Sequence, residues 1–217
     1  MNLAGTAVRD EGVVLYSLLR VAQDHDLDMD PSAVAERLGQ DKALLFSELL
    51  EAAGRDRSKG ADLACEFQAY VSRSYSRRPP MPTPHATRVV EELEQRGVQV
   101  AFSTEFTRST AELILAELGW SDHLMVAANE VSMGRPAPDL LLEVLRRAGI
   151  DCPLRVGLAG DTPDDLIAGT RVGCGVVVGV GCGSSNLREL ARHPHTHLVE
   201  DLGKLQAALG SPRTASA

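Results

Sequence analysis

The second part of the chain alternates short apolar segments with helical segments, and this alternation restricts the fold more than any other feature of the sequence. Several of the helical patterns end at a glycine, such as Gly119 and Gly173. Strands that alternate with helices are typical of parallel β-α-β units. We therefore predict an α/β fold with a doubly wound, mostly parallel sheet. Its strands are expected at residues 98–102, 124–128, 155–159, 175–180 and 197–199, and one of the intervening helices is expected at residues 136–148.

The first part of the chain shows helical periodicity instead. The proline-rich sequence RPPMPTP, residues 78–84, interrupts that pattern and is typical of a linker. We therefore predict a core domain formed by residues 1–11 and 81–210, with a helical cap of residues 12–80 inserted into it and a disordered tail at residues 211–217. Helices are expected in the cap at residues 12–25, 31–38, 42–53 and 61–76.

Composition excludes some classes of partner. The 217 residues carry a formal net charge of −8, which disfavours binding to a nucleic-acid backbone. No apolar run approaches the roughly 20 residues that span a bilayer, and the N-terminus lacks the pattern of a secretion signal. We expect a cytoplasmic protein that binds neither nucleic acid nor membrane. Its four cysteines are expected to be reduced thiols, mostly buried: Cys65, Cys152, Cys174 and Cys182.

Polar residues follow several of the predicted strands. Ser103 and Thr104 follow the first, Arg135 lies in a Gly-Arg-Pro turn after the second, and Asp161 and Asp165 follow the third. Ligands bind at the carboxyl ends of strands in such sheets. Arginine and threonine suit phosphate oxygens, and paired carboxylates suit Mg²⁺. Taken singly, Asp161 and Thr104 could be helix caps and Arg135 a surface residue.

Four motifs stand in a fixed order along the chain: NLAGT, AFST, GRPAP and GDTPDD. In order and spacing they resemble the four motifs of the haloacid dehalogenase-like hydrolase superfamily, whose first motif is DxDGT. The resemblance implies a Rossmann-like core, Mg²⁺ as cofactor and a small phosphorylated or phosphonate metabolite as substrate. It places Asn2 at the nucleophile position. The metal ligands it implies are Asn2, Ala4, Asp161 and Asp165, and the phosphate-binding residues are Gly5, Ser103, Thr104 and Arg135, of which Thr104 and Arg135 are also expected to act in catalysis.

Ala4 indicates a particular branch of the superfamily. The sequence AGT at this place resembles the phosphonatase-like branch, which includes phosphonoacetaldehyde hydrolase. In that branch a lysine of the cap forms an imine with the substrate aldehyde, and Lys42 is similar in position. The alternative is that Lys42 is simply an exposed residue of a helix. Leu45 stands where the branch has a histidine, which disfavours phosphonoacetaldehyde itself as the substrate.

The first motif departs from the family in two ways. Asn2 replaces the nucleophilic aspartate, and only Met1 precedes it where the family has a buried central strand. A start site placed too far downstream would explain the missing first strand, and a degenerate, non-catalytic relative would explain both departures. We predict that the chain as written has impaired hydrolase activity, because an amide oxygen is a far weaker nucleophile than a carboxylate.

Two other functions are compatible with the sequence. The segment Gly179 to Ser184 carries a GxGxG pattern after a strand, with Glu200 and Asp201 about twenty residues on, as in a nucleotide-binding module. A catalytically inactive relative that binds a phosphorylated ligand or a protein partner is the second alternative. A homodimer is also compatible with the sequence.

Overall fold

The computed structural model describes residues 1–30, 34 and 37–209, and its strands are parallel. One sheet pairs the first two strands, with Ala101 beside Leu124, and the other has the order β3-β4-β5. Side chains in these strands are mostly buried, as expected where helices cover a parallel sheet. The predicted α/β fold class is therefore confirmed. The strands are β1 (Ala101–Thr104), β2 (Leu124–Ala127), β3 (Gly157–Gly160), β4 (Val176–Val180) and β5 (His197–Val199).

Helices connect the strands and also form most of the first part of the chain. Local sequence fixes several of their ends: the Asp41 side chain accepts a hydrogen bond from Leu44 N, and Thr162 accepts one from Asp165 N. The helices of the described residues are α1 (Val13–Asp24), α2 (Lys42–Ala52), α3 (Gly60–Arg77), α4 (Ala86–Gln95), α5 (Arg108–Glu117), α6 (Asp139–Ala148), α7 (Pro163–Val172), α8 (Leu187–Leu190) and α9 (Leu205–Leu209).

The helices α1 and α2 both pack on α3 through apolar side chains. Leu18, Phe46 and Phe67 are fully buried, and they belong to the same apolar cluster as Phe102 of β1. The division into a cap of residues 12–80 and a core stays a prediction. Most of the predicted helix at 31–38 and the tail at 211–217 lie outside the described residues.

The first three residues of the chain lie between the two sheets. Met1 N donates to Ala101 O at 2.8 Å, and Leu3 N donates to Ser103 O at 3.2 Å, both on β1. On the other side, Asn2 N donates to Ala159 O of β3 at 2.9 Å. A short extended segment therefore joins the two sheets at the place where the family resemblance implies a complete strand.

A large apolar cavity adjoins this joint. Its volume is about 610 Å³, and Met1 lies at its edge. Val100 beside β1, Leu158 of β3 and Val178 of β4 contribute to its lining. The cavity lies between β1 and β3, the same strands that Met1, Asn2 and Leu3 connect.

Three predictions are corrected by the structure. The first strand, expected at 98–102, is β1 at Ala101–Thr104, so Ser103 and Thr104 belong to the strand and do not follow it. The helix expected at 136–148 begins at Asp139, because Ala137 precedes Pro138 and a residue before proline is disfavoured in helical conformation. The cysteines are not mostly buried, since Cys65, Cys152 and Cys182 are exposed. Among the described residues, the helices include none that is both long and apolar enough to cross a bilayer.

Candidate active site

The four motifs meet at the carboxyl end of β1 and β3. The opening segment brings Asn2 beside β1, where it forms a parallel bridge with Ser103. The turn after β2 supplies Arg135, and the end of β3 supplies Asp161. All four side chains are at most 6% exposed. Residues more than a hundred positions apart in sequence thus form one buried polar cluster.

Arg135 is the central cation of this cluster. Its Nη1 donates to Asn2 Oδ1 at 3.2 Å, and its Nη2 donates to Ser103 Oγ at 2.9 Å. Its Nε lies 3.0 Å from Asp165 Oδ1 in a buried ion pair. The guanidinium therefore donates to Ser103 and not to Thr104, although both were expected to bind phosphate. Thr104 Oγ1 instead accepts a hydrogen bond from Phe106 N at 3.1 Å.

Asp161 is fully buried and is surrounded by donors. Its Oδ1 accepts hydrogen bonds from Asn2 Nδ2 at 2.9 Å and from Thr6 Oγ1 at 2.7 Å, and its Oδ2 accepts one from Ser184 N at 2.8 Å. Burial, and next the nearby charge of Asp165, raise the pKa of Asp161 to about 6, although these three hydrogen bonds oppose the shift.

Asp165 has partners that differ from those of Asp161. Its Oδ2 accepts hydrogen bonds from Thr162 N at 3.1 Å and from Thr162 Oγ1 at 2.7 Å, which closes a capping box at the start of α7. Its Oδ1 is the atom paired with Arg135. Oδ2 of Asp165 is thus hydrogen-bonded, whereas its buried Oδ1 has the ion pair with Arg135 Nε but no hydrogen bond.

The Asn2 side chain connects the remaining groups. Its Nδ2 donates to Ala4 O at 2.8 Å and to Asp161 Oδ1 at 2.9 Å. Its Oδ1 accepts from Leu3 N at 2.8 Å and from Arg135 Nη1. Rotating the amide by half a turn would place oxygen against two acceptors and nitrogen against two donors. The hydrogen-bond network therefore fixes this orientation.

These residues do not fit Mg²⁺ as they stand. The ion takes oxygen ligands in octahedral geometry. Of the four expected ligands, Asn2 presents an N–H group towards Asp161 and Ala4, and Asp165 is paired with Arg135. Across the described ranges, no three or more His, Cys, Asp and Glu side chains are grouped to hold a metal ion.

Lys42 lies in a small cavity with Asn2, Thr104 and Arg135. Only 5% of the residue is exposed, so the alternative that made it an exposed helix residue is wrong. Its Nζ donates to Leu38 O at 2.7 Å and to Gln40 O at 2.5 Å. Burial lowers the pKa of Lys42, while the charges of Glu105 and Asp41 oppose the shift.

Glu105 is a member of the site that sequence reasoning missed. It directly follows β1, and its Oε1 accepts a hydrogen bond from Arg135 N at 2.9 Å. Burial raises the pKa of Glu105, and the charges of Arg135 and Lys42 oppose the shift. Its position beside Thr104 at a strand end was a signal that could have identified it.

Thr6 and Ser184 were also missed as partners of Asp161. Thr6 is the threonine of the AGT sequence, and Ser184 ends the glycine-rich segment that we considered for nucleotide binding. A Cβ on Gly183 would lie 2.3 Å from Asp161 Oδ2, so this glycine is needed for close approach. The glycine-rich segment therefore packs against the carboxylate of the site.

Gly5, expected to bind phosphate, is also constrained by Asp161. It has a φ of +79°, and a Cβ there would lie 2.0 Å from Asp161 Oδ2. Its N–H donates to Val8 O at 2.8 Å. The structure thus explains the glycine by conformation and space, while its N–H is used within the loop.

The cavity that joins these side chains is small, about 30 Å³. That volume suits roughly one water molecule and not a phosphate group. Phe67 of α3 and Leu38 also line it, so residues of the first, helical part of the chain cover the polar cluster. A phosphate-sized ligand would require these residues or Arg135 to move.

Comparison with known protein families gives a match over most of the chain. A family model described as haloacid dehalogenase-like hydrolase matches residues 3–173. Among curated proteins, phosphonoacetaldehyde hydrolase of Latilactobacillus sakei is 30% identical over 94 residues, which are 42% of this chain and 36% of that protein. The Bacillus cereus (strain B4264) enzyme of the same name is 27% identical over 132 residues, 58% of this chain and 50% of that protein. The alignments thus span half or less of these relatives.

Solved structures show the same fold over nearly the whole chain. A hydrolase from Pseudomonas syringae has a TM-score of 0.84 at 20% identity, covering 96% of this chain and 95% of that one. A phosphonoacetaldehyde hydrolase-like protein from Oleispira antarctica has a TM-score of 0.83 at 16% identity, covering 95% and 88%. At these identities the likeness concerns the fold alone.

Proposed function

The chain belongs to the haloacid dehalogenase-like hydrolase family, and we propose that it binds a small phosphorylated or phosphonate metabolite beside Asn2, Ser103 and Arg135. We propose further that its hydrolase turnover is impaired, because Asn2 stands at the nucleophile position. The observation that carries both statements is the buried Arg135 guanidinium held between the Asn2 amide and the Ser103 hydroxyl. A buried guanidinium fork suits phosphate oxygens, and an amide cannot supply an anionic attacking oxygen.

The substrate class is supported by the relatives and by Lys42. Two curated relatives named above are phosphonoacetaldehyde hydrolases. An amine with a lowered pKa attacks an aldehyde more readily near neutral pH, because more of it is unprotonated. The proposed step forms an imine between Lys42 Nζ and the aldehyde carbon, and the carbonyl oxygen leaves as water. Leu45 in place of a histidine keeps the identity of the aldehyde open.

Hydrolases of this family generally use Mg²⁺, which would hold and polarise the phosphoryl oxygens. In this chain the proposed role of Mg²⁺ depends on position 2, because Asn2 directs a donor towards Asp161. In the proposed function, Arg135 and Ser103 orient the anion, and Lys42 orients or binds the carbonyl group of the substrate. The helical part of the chain excludes water.

A non-catalytic role is the second candidate, and Asn2 favours it. Such a protein would bind the same phosphorylated ligand without turnover, or would use it to regulate contact with a partner, including a second copy of the chain. The two candidates differ in turnover and not in ligand class.

The test is phosphate or phosphonate hydrolysis by the 217-residue chain and by Asn2→Asp, each with Mg²⁺. We expect turnover near background for the chain as written and a measurable increase for the Asn2→Asp variant. Robust Mg²⁺-dependent turnover by the chain as written would overturn the proposed impairment. Failure of inorganic phosphate to bind either protein, measured by calorimetry, would overturn the proposed ligand class.

A further inference from the structure

We infer that the Asn2 amide nitrogen takes the place of a divalent cation in this centre, so that the site binds a phosphate-class oxyanion without metal. Position 2 then decides between two kinds of site: an amide gives a metal-independent anion site, and a carboxylate gives a cation site. The ligand class in this inference rests on the proposed function. The part of the inference that concerns cation binding can be tested without any phosphate.

The position of Asn2 Nδ2 is the first observation. It lies 2.8 Å from Ala4 O and 2.9 Å from Asp161 Oδ1, which are two of the expected metal ligands. An N–H₂ group that donates to both oxygens occupies the space between them and partly satisfies their negative charge. A cation could enter only if these hydrogen bonds were broken and the amide rotated away.

The rest of the Asp161 environment is the second observation. Besides Asn2, this carboxylate receives hydrogen bonds from Thr6 Oγ1 and Ser184 N, so both oxygens have donors. A buried carboxylate that accepts two or three hydrogen bonds is stabilised without a counter-ion in direct contact. The protein therefore supplies hydrogen-bond donors to both oxygens of Asp161, and neither oxygen requires a metal ion.

Charge balance is the third observation. Asp165 is neutralised by Arg135 at 3.0 Å. With asparagine at position 2, the side chain that contacts Asp161 and the Ala4 carbonyl carries no charge. With aspartate there, two buried carboxylates would lie within contact of each other, and their repulsion would be relieved by a divalent cation.

The anion would bind on the other side of the amide. Arg135 Nη1 contacts Asn2 Oδ1 at 3.2 Å, the longer of the two side-chain hydrogen bonds it makes to Asn2 and Ser103. A phosphate oxygen can replace this neutral acceptor and form a charge-assisted bond, while Ser103 Oγ supplies a further donor. The Asn2 amide keeps Asp161 satisfied throughout, which is why no metal is needed to shield the anion from that carboxylate.

The experiment measures cation and anion binding separately, with the full chain. Free Mn²⁺ is followed by its paramagnetic resonance signal, and inorganic phosphate binding is followed by titration calorimetry in metal-free buffer and with excess Mg²⁺. The variant is Asn2→Asp. The matched control is Asn129→Asp, which adds the same charge at an exposed residue whose Oδ1 accepts from Arg108 N.

For the chain as written and for Asn129→Asp, we expect no Mn²⁺ binding and a phosphate dissociation constant that changes less than about twofold with Mg²⁺. For Asn2→Asp we expect Mn²⁺ binding and a phosphate affinity that rises at least about tenfold with Mg²⁺. Mn²⁺ binding by the chain as written, or phosphate binding that requires Mg²⁺, would overturn the inference while leaving the proposed ligand class intact. If Asn2→Asp does not fold, the measurements on the chain as written still decide the question.

Discussion

Arg135 contributes to both folding and ligand binding, and its surroundings explain why these roles are difficult to separate. It is 2% exposed, and it pairs with Asp165 while also contacting Asn2 and Ser103. A buried cation of this kind holds three segments of the chain in place. Removing it leaves a buried carboxylate without its partner, which is more costly than the pair is favourable.

We expect Arg135→Ala to lower the free energy of unfolding by about 3–5 kcal/mol, because Asp165 would be left buried and unpaired. Urea unfolding followed by circular dichroism measures this change. The control is Arg192→Ala at an exposed position, for which we expect a change within about 0.5 kcal/mol. Equal stability of the two variants would contradict the central place assigned to Arg135.

Lys42 should be the most reactive lysine of the chain towards a small aldehyde. The sequence has only two others, Lys59 and Lys204, and both are exposed. Because burial lowers the pKa of Lys42, more of this amine is unprotonated at neutral pH, and its imine should be trapped by borohydride. Mass spectrometry of the peptides locates the adduct.

The matched control for this experiment is Lys59→Arg, which should keep the adduct, whereas Lys42→Arg should lose it. The advantage of Lys42 over the exposed lysines should shrink at alkaline pH. A preference for Lys59 or Lys204 at neutral pH would reduce Lys42 to a structural residue held by Leu38 O and Gln40 O.

At the scale of elements, β1 and β3 of the two sheets are bridged by a three-residue segment and not by a regular strand. Met1, Asn2 and Leu3 bridge the two strands, and a cavity of about 610 Å³ continues beyond Met1. An extended apolar segment placed before Met1 would lie along this cavity, in the direction already set by the first three residues. It would be covered by side chains such as Leu158 and Val178.

We therefore expect four apolar residues added before Met1 to stabilise the protein by about 2 kcal/mol. The figure takes roughly 2 kcal/mol gained per buried side chain and roughly 1.5 kcal/mol lost per ordered residue. The control is an extension of equal length made of glycine and serine, which should stabilise little or not at all. Thermal unfolding of both proteins gives the comparison, and equal melting temperatures would contradict a strand-accepting cavity.

The strands and most helices could be predicted because their signals are local. Runs such as Val176–Val180 have β-branched side chains, and Gly173 ends α7 with a φ of +83°. The start of α6 was predicted three residues too early, because the effect of Pro138 on Ala137 was overlooked. The prediction of cysteine burial was wrong because Cys65 lies on the exposed face of α3, and Cys152 and Cys182 lie in exposed connections between elements.

The site was less predictable than the fold for a different reason. Motif order indicated Asn2, Ser103, Arg135 and Asp161 as neighbours, and these are in mutual contact. The direction of the Asn2 amide and the ion pair of Asp165 could not be read from the sequence. Both depend on which hydrogen-bond partners are left after the chain has folded, and that is a property of the whole cluster.

At the scale of the whole molecule, the joint between the two sheets includes the partly buried amino group of Met1. Met1 N lies at the joint and donates to Ala101 O at 2.8 Å. Burial, and next the positive charge of Arg135, lower the pKa of this amino group from 8.0 to about 6. The folded protein therefore disfavours the charged form of its own N-terminus, and the stability of the joint depends on pH.

The sign of this dependence follows from proton counting. Between about pH 6 and pH 8 the unfolded chain holds a proton on Met1 that the folded chain has released, so stability rises with pH across this window. A shift of two pKa units corresponds to about 3 kcal/mol, as an order of magnitude. Acetylation of the amino group removes the charge, keeps an N–H for Ala101 O, and places a small group at the edge of the large cavity.

We expect the acetylated chain to be more stable than the free-amine chain at pH 6, and we expect this advantage to shrink by about 2–3 kcal/mol on going to pH 9. Urea unfolding of both forms at each pH measures the difference. All other ionisable groups are the same in both forms, so their contributions cancel in the comparison. An advantage that is the same at both pH values would show that the amino group keeps its charge in the folded state, and that the joint between the sheets is open to water.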